Sequence, residues 1–281
     1  MTASMTMQRR DMFVKTLVFL ILSIIGFTTV MPFIWMVLTG FKTELETLSI
    51  PMTLFPERFM WENYEDLFNR FNFIRYYRNS LIVVAGITIP QIFLSCLAAY
   101  AFARIDFPGR NIIFVSLMAA LMVPMQLILV PRFVLMMYFG WVDTLTGVIV
   151  PSIPSIFATF FVRQHIMTIP MELDESAYMD GCSHPKIFIS IVMPLCKPTI
   201  AAMAILAITF SWNTLLWPLI VLNSMSNFTL PLGINAFRGQ HSTLYHLMMA
   251  GATVSVVPIL IVFVTCQRYF LEGIATTGIK A

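Results

Sequence analysis

The residues able to do covalent or metal chemistry are few and badly spaced for it. Four cysteines, Cys96, Cys182, Cys196 and Cys266, form no CxxC pair and read as reduced, unligated thiols. The four histidines are scattered and form no HExxH, so no metal site is expected. His241 and His246 stand five apart, which does not put both on one helical face; they read as a solvated, interfacial pair. No GxSxG, no GxxxxGKS/T and no His–Ser or paired-Asp arrangement in the apolar stretches occurs. No catalytic residue is assigned, and the chain is read as a non-enzyme. The chemistry that remains is neutral. Gln91, Ser95, Gln126, Thr209, Ser211, Asn213 and Asn223 lie within apolar runs, densest in Ser211-Trp-Asn-Thr-Leu-Leu-Trp-Pro218. Indole faces stack on sugar rings and amides bind hydroxyls. Trp212, Asn213, Trp217 and Gln126 are therefore candidates to line a path for a polyhydroxylated solute. A second reading stays open beside it: interhelical hydrogen bonds, a belt tryptophan and a proline kink.

The other concentration of function is a polar island, Pro170 to Pro198 (PMELDESAYMDGCSHPKIFISIVMPLCKP), acidic in its first half. It predicts two short helices joined by a sharp turn. Pro170 suits a first helical turn, and Glu172, Asp174 and Glu175 put negative charge at the positive end of the helix dipole. Gly181 follows as the C′ residue, free to adopt φ > 0. Ser183 is placed to cap the second helix, with Pro185 in its first turn; Met193-Pro194 and Lys197-Pro198 are expected to end it.

The elements that position these groups are membrane spans. With 58% hydrophobic and 11% charged residues, 25 Phe and 21 Met, the composition is far from that of a soluble domain. The apolar runs are long and unbroken, which excludes the ten-residue alternation of a β-barrel. The class is all-α, polytopic and embedded in a lipid bilayer. A net charge of +3 calls for no nucleic-acid partner. Six spans are expected, at about 13–38, 80–103, 112–130, 145–162, 199–222 and 246–267, making residues 13–268 one six-span transmembrane domain. Residues 1–12 and 269–281 form the ends, both expected in the cytoplasm, and the island sits in a cytoplasmic loop, 164–198. The third span is interrupted by Pro124 and closed by Pro131; the fourth carries Pro151 and Pro154 near its start. WENYEDLFNRF, in the long first loop, predicts a short amphipathic helix on the outer membrane face.

Charge asymmetry sets this orientation. Arg9, Arg10, Lys15, Arg104, Arg110, Arg163, Lys186, Lys197, Arg268 and Lys280 fall on one side, against Arg132 and Arg238 in the short loops of the other. The first loop dissents with Lys42, Arg58, Arg70, Arg75 and Arg78. QRRDMFVK is an anchor start rather than a twin-arginine export signal, because its apolar run is too long and lacks a small-residue cleavage site. No Asp, Glu, Lys or Arg sits mid-span, which argues against ion-coupled transport and for energy supplied from elsewhere.

Glu175-Ser-Ala177, three residues, Gly181, nine residues and Ile191-Val-Met-Pro194 resemble the EAA loop of bacterial ABC importer permeases. That pattern is EAA, three residues, Gly, nine residues, I-x-L-P. Ser176 and Met193 are mild departures. SWNTLLWPLIVLNS with FTLPLGI, NYEDLF with RNSLIV, FFVRQHIMTIP and the tail GIATTGIKA extend the resemblance over essentially the whole chain, to the carbohydrate-uptake branch of maltose-transporter G type. The resemblance implies a type I importer permease of the inner membrane. Its partners would be a second, non-identical permease, an ABC ATPase dimer, an extracytoplasmic solute-binding protein that the first loop would receive, and a sugar substrate. It implies coupling roles for Glu175, Ser176, Ala177, Asp180, Gly181 and Pro194, with Glu175 facing an arginine of the ATPase. The chain itself takes no cofactor; ATP and magnesium belong to the ATPase subunits. Two alternatives stand beside sugar import: glycerol phosphate or another polar solute carried by the same machinery, and a membrane scaffold or receptor without transport. A phosphate ester calls for basic path residues that the spans lack, which favours a neutral sugar.

Overall fold

The computed structural model of the chain describes residues 2–70, 72–239 and 243–278, with side chains at 12–69, 72–239 and 243–266. The expectations for Arg9, Arg10, His241, Arg268, Lys280 and the side chains of the tail lie outside the described residues. Among the described residues the chain is helical, without a named strand. Helices α1 (Thr2–Gly40), α2 (Glu44–Leu48), α3 (Glu62–Arg70), α4 (Phe73–Arg104), α5 (Arg110–Ala120) and α6 (Leu129–Tyr138) are followed by α7 (Leu145–Ile149) and α8 (Ile156–Ile166). Next come α9 (Glu172–Met179), α10 (His184–Ile187), α11 (Met193–Leu195), α12 (Lys197–Asn213), α13 (Leu216–Val221), α14 (Leu230–Asn235) and α15 (Tyr245–Gly278). Four stretches are long and apolar enough to cross a membrane without a sharp bend: Met12–Gly40, Phe73–Arg104, Leu145–Ile166 and Tyr245–Cys266. Two bent pairs, Arg110–Ala120 with Met125–Tyr138 and His184–Leu195 with Lys197–Asn213, bring the number to six.

Two of the expected spans are cut, each by a proline. The third does not run through to residue 130. Helix α5 stops at Ala120, Pro124 adopts extended backbone, and the chain turns by 96°. Pro131 does not close the span; it lies in the first turn of α6, where a missing N–H costs no helical bond. The fifth span ends at Asn213 rather than 222. Pro218 has no N–H for the Thr214 carbonyl and would crowd it, so Thr214 turns extended (φ −66°, ψ 119°). The side chains of Asn213 and Thr214 bond the carbonyls of Thr209 and Phe210 at 2.8 and 2.7 Å, taking acceptors of the last helical turn.

The chain divides into two compact units. The first, Met1–Phe71 with Ala236–Val256, holds α1, exposed at every residue from Met12 to Val30, and the loop after it. That loop is built around two polar anchors. The Asn63 amide donates to the Gly40 and Lys42 carbonyls at 2.9 and 2.8 Å. Glu46 closes a capping box with Thr43 and accepts the Glu57 N–H at 2.7 Å. Partial burial works to raise the Glu46 pKa, yet these donors win and hold its carboxyl below the usual range. Lys42, counted above among the dissenting cations, is 2% exposed; its ammonium bonds the Thr53 carbonyl and sits 4.9 Å from the Trp35 ring centroid. Within the WENYEDLFNRF stretch Glu62–Arg70 is helical as α3, with Leu67 and Asn63 turned inward.

The second unit, Asn72–Asn235 with Val257–Ala281, is organised by α4, which packs chiefly against α8 and α12. Near one end of α4, Asn79 donates to the Ser226 and Phe228 carbonyls at 2.9 and 3.0 Å, and Ser80 accepts the Leu230 N–H at 2.7 Å. A Cβ on Gly233 would lie 2.2 Å from the Tyr76 ring, so only glycine lets α14 approach α4 this closely. RNSLIV and FTLPLGI, 150 residues apart for the Ser80–Leu230 bond, are thus one contact.

Candidate functional site

Within the second unit α4 joins two sites: a loop at its C-terminal end and a cavity further back along its length. The loop is α9, a turn at Gly181, and α10. Helix α9 begins at Glu172, two residues after Pro170, with Glu172, Asp174 and Glu175 in its first turn. It ends in a left-handed residue as expected: Gly181 has φ +79°, and the Gly181 and Cys182 N–H groups bond the Tyr178 and Ala177 carbonyls at 2.9 Å each. Ser183 occupies the cap position of α10 in extended backbone, but its hydroxyl makes no cap bond. Pro185 stands in the first turn. Pro194 does not end the helix. A π-type turn over Phe188–Val192 widens it first, and Pro194 enters α11 in the first turn; the break falls at Cys196, where the axis bends by 77°.

Asp174 is the loop residue whose environment sequence reading did not foresee. Expected to be a dipole-stabilising acid, it is 1% exposed and paired with Arg104, the last residue of α4 (Nε–Oδ2 3.0 Å). Arg104 also donates to the Ile169 carbonyl at 2.7 Å and the Met171 Sδ at 3.3 Å. Ala177, one turn beyond Asp174, packs into a core with Cys96, Ala99, Tyr100, Ile187, Phe188, Val192 and Cys196. His184 joins both helices to α4: Tyr100 Oη lies 3.2 Å from its Nδ1 and Tyr178 Oη 2.8 Å from its Nε2. With Asp174 and Ala177 inward, the other face of α9 is presented outward. Glu172, Glu175, Ser176, Met179, Asp180 and Gly181 are exposed, as is Pro194 further on; Met179 is 89% exposed. The Glu175 carboxylate has no partner among the described residues.

The cavity, about 600 Å³, is lined from α4 by Ser80, Val83, Ile87 and Gln91, with Ser152 and Phe157, and with Thr209, Ser211, Trp217 and Thr229 from the later helices. Most of its wall is apolar. Its polar groups are hydroxyls and one amide, and the Thr229 Oγ1 is buried without a hydrogen-bond partner. Of the four path candidates, Trp217 lines it, fully buried, with its indole N–H donated to the Gly147 carbonyl at 3.0 Å. The guanidinium of Arg132 lies 4.1 Å over the Trp217 ring and donates to Ser152 Oγ at 2.7 Å. Trp212 is buried edge-on against Tyr77 outside the cavity lining; Asn213 and Gln126 are exposed and also outside it. Gln126 lies beyond the bend at Pro124 and so does not continue the helical phase of α5, whereas Asn213 is the last residue of α12 and its amide is turned back onto the Thr209 carbonyl. Among the described residues no His/Cys/Asp/Glu cluster has metal-binding geometry, and all four cysteines are free.

Residues 91–275 match the family of binding-protein-dependent transport system inner membrane components. The arabinooligosaccharides transport system permease protein AraQ of Bacillus subtilis (strain 168) is 37% identical over 268 residues, 94% of this chain and 94% of that one. The sn-glycerol-3-phosphate transport system permease protein UgpE of Pectobacterium atrosepticum is 32% identical over 237 residues, 82% of this chain and 84% of that protein. Among solved structures, a chain of a bacterial ABC transporter involved in the import of the acidic polysaccharide alginate superposes with a TM-score of 0.80. It is 19% identical, covers 93% of this chain and 98% of its own length, and shares the fold.

Proposed function

The chain belongs to the family of binding-protein-dependent transport system inner membrane components, and on that premise we propose that it forms half of the path of an ATP-driven importer for a neutral oligosaccharide. It is a multi-pass inner-membrane permease of the ABC class. The observation that carries the proposal is the α9–Gly181–α10 loop, fastened to α4 on one side and offering an unpaired Glu175 on the other. An ATPase dimer docks there, Glu175 meeting a cation on it, with Ser176, Ala177, Asp180, Gly181 and Pro194 shaping the docking surface. Closure of that dimer on ATP displaces the loop and tilts the helices that bound the cavity. Nucleotide and magnesium are held by the ATPase, and this chain needs no cofactor. The loop and both termini face the cytoplasm, in line with the basic residues on that side. A second, non-identical permease completes the path, and an extracytoplasmic binding protein delivers the solute.

For the solute, the hydroxyl-lined cavity supports a neutral sugar, with Trp217 as the stacking face and Gln91, Ser211 and Thr229 as hydroxyl partners. Trp212, Asn213 and Gln126 stay in the proposal as residues that meet solute outside this cavity. A phosphate ester is the second reading. It is favoured by the similarity to UgpE and by Arg132, a cation one hydrogen bond from the cavity wall through Ser152. Uptake by the complete transporter in vesicles, with arabinose-type oligosaccharides and glycerol phosphate as competing solutes, separates the two. Oligosaccharide accumulation that glycerol phosphate does not inhibit is expected. Inhibition by glycerol phosphate alone transfers the proposal to the phosphate ester, and no ATP-dependent accumulation of any solute leaves the chain a scaffold.

A further inference from the structure

We propose that α4 is the lever that carries the loop's displacement into the cavity, and that Arg104 is the positioning residue that fixes the loop on it. The inference rests on the loop being the ATPase docking site. Helix α9 has only eight residues, too few to hold its shape in isolation, so its orientation is set by what it is tied to. Those ties go to the last turns of α4. The guanidinium of Arg104 grips three points within six residues, the Ile169 carbonyl, Met171 Sδ and the Asp174 carboxylate, on both sides of Pro170. One turn earlier, Tyr100 reaches His184 on α10, and Tyr178 on α9 meets the same imidazole. Both halves of the loop are therefore fastened to one helix.

The chemistry of the pair argues against a purely stabilising role. The Arg104 and Asp174 side chains are 7% and 2% exposed, and Asp174 Oδ1 has no hydrogen bond. A buried carboxylate met by a single cation is an expensive way to hold a helix that an apolar contact would hold as well, but it specifies one register. A planar fork with several donors fixes orientation where the point charge of lysine does not. From Arg104 the same helix runs to Gln91 and, continuing past Pro90, to Ile87, Val83 and Ser80 on the cavity wall. Ile87 lies 17 residues back, about 25 Å at the rise of an α-helix. A push on α9 thus has a continuous helical route to the wall.

The readout is the number of solute molecules moved per ATP hydrolysed by the complete reconstituted transporter, because a loss of folded complex lowers both rates together and leaves their ratio unchanged. Arg104→Gln and Asp174→Asn are expected to lower that ratio at least tenfold. Arg104→Lys, which keeps the charge and loses the fork, is expected to lie between them and the wild type. An unchanged ratio in Arg104→Gln and Asp174→Asn, whatever the yield of complex, overturns the inference. Glu175→Lys is run alongside. If it abolishes transport while the Arg104 and Asp174 variants keep the wild-type ratio, the lever fails and the docking site stands. If Glu175→Lys transports normally, the docking site itself fails and the lever with it.

Discussion

The last turns of α4 and its middle are built in opposite ways. Around its last turns, Ala99, Ile187, Val192 and Cys196 are at most 1% exposed and packed against the loop, and the buried polar groups there are a charged pair. Along its middle, from Ser80 to Gln91, the neighbours stand off on one side, leaving about 600 Å³ walled by apolar surface and a few hydroxyls. Close-packed interiors transmit displacement because they barely compress, whereas a lined void can change shape at little cost. One stretch is suited to receive a push without giving, the other to open and close around a solute. The same helix serves both because its sequence switches from small and aromatic residues near Arg104 to hydroxyl and branched residues near Ser80.

The sharpest way to break this contrast is at the loop's outer face and hinge. Glu175→Lys is expected to reduce uptake at least a hundredfold while the protein still enters the membrane, since the exposed carboxylate bonds nothing among the described residues. Gly181→Pro should do the same, because proline's fixed φ near −65° cannot match the φ of +79° here. Uptake assays beside membrane immunoblots check both. Next comes packing. Ala99→Leu, at the sealed end, should overfill the core and destabilise by ~1–3 kcal/mol. Ala207→Leu, on the cavity wall, should change stability by less than ~1 kcal/mol and slow uptake instead. Thermal unfolding in detergent compared with uptake rate distinguishes the two; equal losses of stability would erase the contrast. A smaller effect is expected from Trp217→Phe. It removes the bond to the Gly147 carbonyl and weakens the stacking of Arg132, together ~1–2 kcal/mol, and it should shift the preference among solutes if the indole is a stacking face.

The smallest prediction concerns the loop beyond the cavity. Burial works to raise the Asp143 pKa, but the Ser224 hydroxyl and N–H, the Asn223 N–H and Asn227 hold its carboxyl down at about 2. A carboxyl depressed in the folded state adds stability above its ordinary pKa near 3.8, and loses it as pH falls toward 2. Asp143→Asn should therefore lower the midpoint of thermal unfolding by a few degrees at neutral pH, and the difference from wild type should vanish near pH 2. A constant difference across that range would show that the carboxylate's charge is not what pins the 223–227 segment.

Much of the loop was legible locally, because its determinants are local. A glycine that must turn left-handed, acids in a first helical turn and a proline in the next all act within a few residues of themselves. The partner of Asp174 was not, since a residue 70 positions earlier supplies it. The available signal was an arginine ending an apolar span, opposite an island with three acids in one turn. Nothing in their spacing says which acid turns inward; the helical phase set by Ala177 does. The cavity was legible by residue type and misread by place. Gln91, Thr209 and Ser211 were recognised as neutral in-span groups and line the wall, whereas Gln126 and Asn213 have the same chemistry and face away. Pro124 breaks the span before Gln126, so a straight-span reading carried the helical phase through that bend, and Asn213 spends its amide on the Thr209 carbonyl at the end of α12. Lys42 taught a parallel lesson about charge counting, for a buried ammonium holding its own loop says little about which side of the membrane that loop occupies.

The most direct measurement asks whether the ATPase meets the outer face of α9. Met179, 89% exposed beside Gly181, replaced by cysteine in the complete transporter, is expected to crosslink to the ATPase subunit with a short bifunctional reagent, in a yield that changes when ATP is bound. Absence of any crosslink to the ATPase, with the same cysteine labelled freely by a small thiol reagent in every nucleotide state, would contradict the assignment of this loop as the place where the work of ATP enters.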